Sequence, residues 1–262
     1  MGVRFRHRTQ RIGTGFDSTN VLPARLPIPS RRFADPEGLN AYLDRIADRI
    51  QSLPGVRDVA FTQGLPTQGT PFSRSFQIAD QPPTERAVRP MGGLKTVSPS
   101  YFRTLGLRLL NGRALSNNDG RGAPLVIVIN ETFARMHFPK VDPIGKRLLM
   151  RATATAGTGV LNDVAWEVVG VVADEGLSWN GAPEAMMYGT REQSPSDYLA
   201  LAVRTSIDPV RLQESIRKAV STVDRDQALA NVQTLDDLNS DPSKRHYPVR
   251  PPLGRLQPRS SG

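Results

Sequence analysis

The 262-residue chain contains no cysteine. Disulfide staples, thiolate nucleophiles and cysteine-ligated metals are excluded, so a fold of this length rests on a buried apolar core. The compartment stays open, because neither reducing nor oxidising surroundings demand cysteine. Long apolar runs are also missing. The longest, PLVIVI at 124–129, falls well short of the about 18 residues of a membrane-crossing helix. The start, MGVRFRHRTQRI, leads into Gly, Thr and Asp rather than an apolar stretch, and does not read as an export signal. Histidine is scarce: His137 stands alone between His7 and His246 near the ends.

What is present is ordinary for a folded globule: 38% hydrophobic and 23% charged residues. The net charge of +9 is an end effect. Residues 1–12 carry four Arg and no acid, and residues 239–262 carry five basic groups against Asp241. The remaining 13–238 hold 25 basic and 24 acidic groups, a net of +1. A nucleic-acid-binding body concentrates its charge on a folded face, so nucleic acid is not an expected partner.

One pattern occurs twice. In ADPEGLNAYLDRIADRIQSL (34–53), Asp35 is a candidate N-cap, Pro36 suits the first helical position and Glu37 suits the positive first turn. Leu39, Tyr42, Leu43, Ile46, Ile50 and Leu53 recur at three and four, with Asp44, Arg45, Asp48 and Arg49 facing away. In IDPVRLQESIRKAVSTV, Asp208 and Pro209 repeat the opening, and Val210, Leu212, Ile216, Ala219, Val220 and Val223 form the stripe. Strand patterns flank both helices: NVLPARLPI and VRDVAFTQ around the first, YLALAVRTS and ALANVQTL around the second. Two strand-helix-strand units predict a split βαβ sandwich of ferredoxin-like type, assembled from both ends of the chain. In the first strand Pro23, Pro27 and Pro29 share one parity, so the missing donors lie along a single edge. That suits an edge strand, whereas a ferredoxin order centres it; the strand order stays open.

The stretch between, roughly 70–195, reads as a small α/β body of its own. VSPSYFRTLG offers Ser98 as N-cap, Pro99 as first helical residue and Gly106 as stop; LRLLNGR reads as a strand entering an Asn-Gly turn. PLVIVI and WEVVGVVAD read as buried strands, NETFARMHF as a helix capped by Asn130, and RATATAGTGVLND as a mobile loop. The last 24 residues hold five Pro and little that is apolar, and are expected to be disordered.

GFDSTNVLPARLPIP, LPGVRDVAFTQGLP, VSPSYFRTLGLRLLNGRALSNND, VIVINETFARMHFPKVDPIGKRL, WEVVGVVAD and LAVRTSIDPVRL, in that order, resemble the periplasmic core domain of MacB/FtsX-type ABC transporter permeases, notably the acidobacterial duplicated permeases. The likeness covers about residues 13–238, and the combination of Tyr101-Phe102, Gly112-Arg113, Asn130-Glu131, Asp142 to Lys146 and Val169-Gly170-Val171 is far more specific than any one piece. It implies an α+β, two-lobed domain: a porter-like lobe from 15–70 and 196–238, and an inserted sabre-like lobe at 71–195. Residues 1–14 and 239–262 fall outside both as a basic start and a basic, proline-rich tail. The resemblance further implies a non-catalytic domain on the periplasmic face of the inner membrane, a homodimer or pseudo-dimer in the intact permease, and an ABC ATPase subunit or domain reached through transmembrane helices. Those helices are not in this sequence, so the chain is expected to be a fragment. A free-standing binding module using the cleft between the lobes is the alternative, hinted at by Arg74, Arg89 and Tyr198.

No catalytic, metal-binding or cofactor-binding residue is assigned. DPIGKR fails the phosphate-loop spacing, with Lys140 and Arg147 at the decisive positions. His137 lacks a partner at metal-ligand spacing and is expected to pack, and no Ser/His/Asp set assembles without the end histidines. Asp174-Glu175 and Asp236-Asp237 read as solvated acidic pairs. Trp179, Met186, Met187 and Tyr188 read as core, or else as an adaptable partner surface.

Overall fold

The computed structural model describes residues 15–28, 32–33, 35–66, 72–151, 162–176, 182–195 and 198–230. The first unit is β1 (Val21–Pro27), α1 (Pro36–Gln51) and β2 (Val56–Thr62). The Asp35 carboxylate accepts the Gly38 N–H at 2.7 Å, and Pro36 occupies the first turn, where its missing donor costs nothing. The middle supplies β3 (Ser73–Ile78), β4 (Met91–Val97), α2 (Tyr101–Thr104), β5 (Leu109–Gly112), β6 (Val126–Asn130), α3 (Glu131–His137), β7 (Arg147–Arg151), β8 (Asp163–Val172) and β9 (Met186–Thr190). The second unit is β10 (Tyr198–Thr205) and α4 (Gln213–Val223). Its Asp208 accepts from Val210 at 3.0 Å, but the first turn is 3₁₀ rather than α and leaves Val210 exposed.

β10 lies between β1 and β2, antiparallel to both. Both long helices cover one face of these strands in a single core. Tyr42, Leu43, Ile46 and Ile50 of α1 meet Ile216, Ala219 and Val220 of α4 over Leu22, Ala24 and Leu26 of β1. Each fully buried Leu or Ile contributes about 1.5–3 kcal/mol, so this interface dominates the local energetics. The Tyr42 hydroxyl adds a polar tie, donating to Asp224 just beyond α4 at 2.9 Å.

The proline conflict in β1 resolves through Arg25. Its N–H and C=O bond Ala230 at 2.8 and 3.0 Å on the side away from β10. Pro23 and Pro27 share its parity, so their absent donors face this same side. One residue is enough to draw Ala230 onto the edge, which places β1 between β10 and Ala230. Residues 231–235, the end of ALANVQTL, lie outside the described residues, as do Asp236-Asp237, most of RATATAGTGVLND, and both chain ends.

From β2 the sheet continues into β4 through one pair, Thr62 with Val97. Beyond it the strands run β4-β3-β7-β8-β6-β9, and β9 pairs back onto β4 in parallel, closing a ring of six. Inward residues of every ring strand gather in one core, including Phe76, Leu94, Ile127, Leu148, Trp166 and Met187, with Phe133 of α3 packed among them. Both helices expected in the middle are present, but it is richer in strand than expected, since β3, β4, β7 and β9 carry no strong strand signal in the sequence. Residues 73–97 and 186–190 supply three of the ring's strands.

Two local readings change. Ser98 does not cap α2; its hydroxyl accepts the Phe61 N–H of β2 at 3.0 Å, and the helix begins after Ser100. Asn111-Gly112 is not a hairpin turn but part of the β5–β8 pairing. A Cβ on Gly112 would lie 2.3 Å from the Val169 carbonyl oxygen, and one on Gly170 would lie 2.0 Å from that of Arg113. Two glycines let the strands approach this closely.

Candidate functional site

Alternation along β4 divides the region between the helical body and the ring into two sites. Leu94 and Thr96 line a cleft, whereas Lys95 points to the opposite side with Val97.

On that opposite side lies a buried ionic cluster. Lys95 pairs with Glu175, and the two side chains are only 2% and 3% exposed. Tyr101 of α2 donates its hydroxyl to the same carboxylate. The Lys95 ammonium lies 5.9 Å from the Tyr101 ring centroid. Burial, followed by the Glu175 charge, pushes the Tyr101 and Tyr188 phenols well above their ordinary value. The Tyr188 hydroxyl is buried in the field of Glu175. Asp174 receives the Thr132 N–H and hydroxyl at 2.9 and 2.7 Å. The expectation that Asp174 and Glu175 are solvated is thus overturned, because partners far away in sequence surround them. Apolar neighbours, Phe102, Leu105 and Met186 among them, seal the cluster.

The cleft has a volume of about 410 Å³. Leu39 and Leu43 of α1 and Leu199 of β10 form one wall; Phe72, Leu94 and Thr96 form the other. At its polar part sits Arg191, which follows β9 directly and is 8% exposed. Its Nε donates to Glu192 at 3.0 Å and its Nη2 to Asp44 on α1, while its guanidinium lies 5.8 Å from the Phe61 ring centroid. Nη1 is buried without a partner among the described residues. Arg74 also lines the cleft, as the sequence reading hinted. Arg89 does not; it is held by Asp163 at 2.7 Å. The side chain of Tyr198 and all of Trp179 lie outside the described residues. Arg191 and the buried Lys95 were not singled out in the sequence, since one Arg after a strand and one Lys within one look like surface residues.

The remaining candidates have structural roles. Met186, Met187 and Tyr188 are buried on β9, which settles them as core. Asn130 caps α3, accepting the Phe133 and Met186 N–H groups at 2.9 Å each, and Glu131 stands exposed in the first turn. His137 stacks against Phe76 and Phe133 at 4.9 and 4.7 Å. Desolvation lowers its pKa, and its Nε2 has no partner among the described residues. Gly145, at φ +78°, turns the chain into β7, and Lys146 bonds Asp80 at 2.8 Å. Among the described residues no group of three or more His, Asp or Glu is placed to hold a metal, and no helix is long and apolar enough to cross a membrane.

Residues 9–223 match the sequence profile of the MacB-like periplasmic core domain. Among solved structures, the periplasmic region of MacB from Actinobacillus actinomycetemcomitans aligns at TM-score 0.55 and 16% identity, over 86% of this chain and 93% of that one. The extracellular domain of the ABC-type transporter YknZ from Gram-positive bacteria aligns at TM-score 0.49 and 17% identity, over 80% of this chain and 99% of that one. At such identity the first likeness establishes a shared fold and says nothing of ligands. No curated protein matches the chain.

Proposed function

Because the chain belongs to the MacB-like periplasmic core domain family, matched over residues 9–223, we propose that it is the non-catalytic outer domain of an ABC transporter permease. In this reading it couples ATP-driven motion of membrane helices to an outer substrate or partner. Residues 15–70 and 196–238 form the porter-like split βαβ lobe, and 71–195 form the inserted sabre-like lobe. The ATP-hydrolysing and membrane-spanning parts come from other segments or subunits, and two such domains face each other as a homodimer or pseudo-dimer.

The observation that carries this is the Arg25–Ala230 pairing, which brings the two ends of the described chain onto one sheet beneath α1 and α4. A pull or twist applied through either end acts on the same helical body. The ring is carried along through the Thr62–Val97 pair, the Arg191–Asp44 contact and the apolar cluster that joins Val21, Ala60 and Ala202 to Val97, Tyr101 and Val128. Rigid, well-packed bodies suit transmission of displacement.

The test is expression from the native genomic locus with an affinity tag. Expected results are recovery in the inner-membrane fraction, digestion by protease added from the periplasmic side, and co-purification of an ABC ATPase in detergent. A protein confined to the cytosol with no ATPase, flanked by DNA that encodes no apolar segments of about 20 residues, would overturn the proposal.

A further inference from the structure

We propose that the cleft between the helical body and the ring binds a small amphipathic carboxylate, its apolar part between Leu39, Leu43 and Leu94 and its head group against Arg74 and Arg191. The volume of about 410 Å³ falls in the range of small-molecule sites, and such sites combine apolar walls with a few polar groups. Arg191 has the chemistry of an incomplete clamp. Glu192 and Asp44 occupy its Nε and Nη2, yet its Nη1 is buried without an acceptor. A buried charged donor left unpaired is costly, and a ligand oxygen at that nitrogen removes the cost.

Arg74 is the second cation. It is half-buried and makes no ion pair among the described residues. Asp35, the acidic residue of the lining, already commits Oδ1 to the Gly38 N–H. Thr96 and Ser194 satisfy one another, the Thr96 hydroxyl donating to the Ser194 carbonyl at 2.6 Å. The cleft thus offers two guanidinium groups, the unpaired Arg74 and the unfilled Nη1 of Arg191, against one lining carboxylate and the neutral Asn40, and Arg74 favours an anion over an amine or a neutral alcohol. The occupant touches α1 and β10 on one side and β4 on the other.

The site is a property of the chain alone and needs no membrane partner, so its failure leaves the transport reading untouched. The experiment uses the purified full chain, 1-anilinonaphthalene-8-sulfonate as fluorescent probe, and decanoate and 1-decanol as competitors. Decanoate is expected to displace the probe at about tenfold lower concentration than decanol, the effect of one charge-assisted contact. Arg74→Gln should raise the decanoate midpoint several-fold and leave that of decanol unchanged. Asn40→Trp, which fills the cleft from α1 without removing a core side chain, should abolish displaceable probe binding at an unchanged Tm. Equal competition by acid and alcohol, no response to Arg74→Gln, or full binding by Asn40→Trp would each overturn the proposal.

Discussion

The helical body and the ring reach comparable burial by opposite means. In the body, two amphipathic helices lay continuous aliphatic stripes on three strands, and the polar ties, such as Tyr42 to Asp224, sit at the margin. In the ring, six strands close on each other, two glycines permit a close crossing, and a lysine and a glutamate are buried at its boundary with the body. The difference shows where each region is vulnerable. The body is held by additive apolar area, so damage there should be graded; the ring boundary adds a buried ion pair to its apolar packing, and removing one of its charges should be abrupt.

The largest effect should come from the ring boundary. Lys95→Met strands the Glu175 carboxylate in an apolar surround and should cost about 3–5 kcal/mol in urea unfolding. The double variant Lys95→Met, Glu175→Leu should recover most of the loss, because no buried charge remains unpaired. A single variant of wild-type stability would show that solvent reaches the pair, and the contrast with the body would dissolve.

In the body, Ile46→Ala should cost about 2–4 kcal/mol, and a second substitution at Ile216 should deepen the loss without the rescue seen in the charged pair. Smaller again is the difference between the two Asp-Pro openings. Asp35→Ala removes a side-chain cap from a 16-residue helix and should cost about 1 kcal/mol. Asp208→Ala, at a 3₁₀ turn, should cost less, and equal losses would argue against the distinction.

The smallest effect is a pH dependence in the ring. Burial holds the His137 imidazole below its ordinary pKa of 6.5, so the unfolded chain takes up the proton more readily than the folded one. This contribution is fully present above about pH 6.5 and is lost as pH falls from there through the lower folded value. Wild type should lose more Tm than His137→Phe between pH 7.5 and about 5.5; parallel losses would place the titration elsewhere.

Much of the helical body was legible because its signals are local. Asp35, Pro36 and the spacing of Tyr42, Leu43, Ile46 and Ile50 predict α1 without reference to any other residue. Asn130 announces α3 in the same way. The ring was only half legible. MGGLKTV contains two glycines and a lysine, and SRSFQI alternates weakly, so neither β4 nor β3 stands out until its neighbours are known. The candidate cleft was legible only in Arg74, since Arg191 acquires its meaning from Asp44, 147 positions away.

The sequence by itself determined the two capped helices, their apolar faces, the buried strands PLVIVI and WEVVGVVAD, and the family, because these depend on periodicity and on short, specific words. Only the tertiary structure decided that β9 returns to β4, that Arg25 rather than a proline meets Ala230, and that Glu175 is buried with Lys95 rather than solvated. The physical reason is that strand pairing and charge burial are set by partners distant in the chain, and no local pattern in a carboxylate's own surroundings records which cation will reach it.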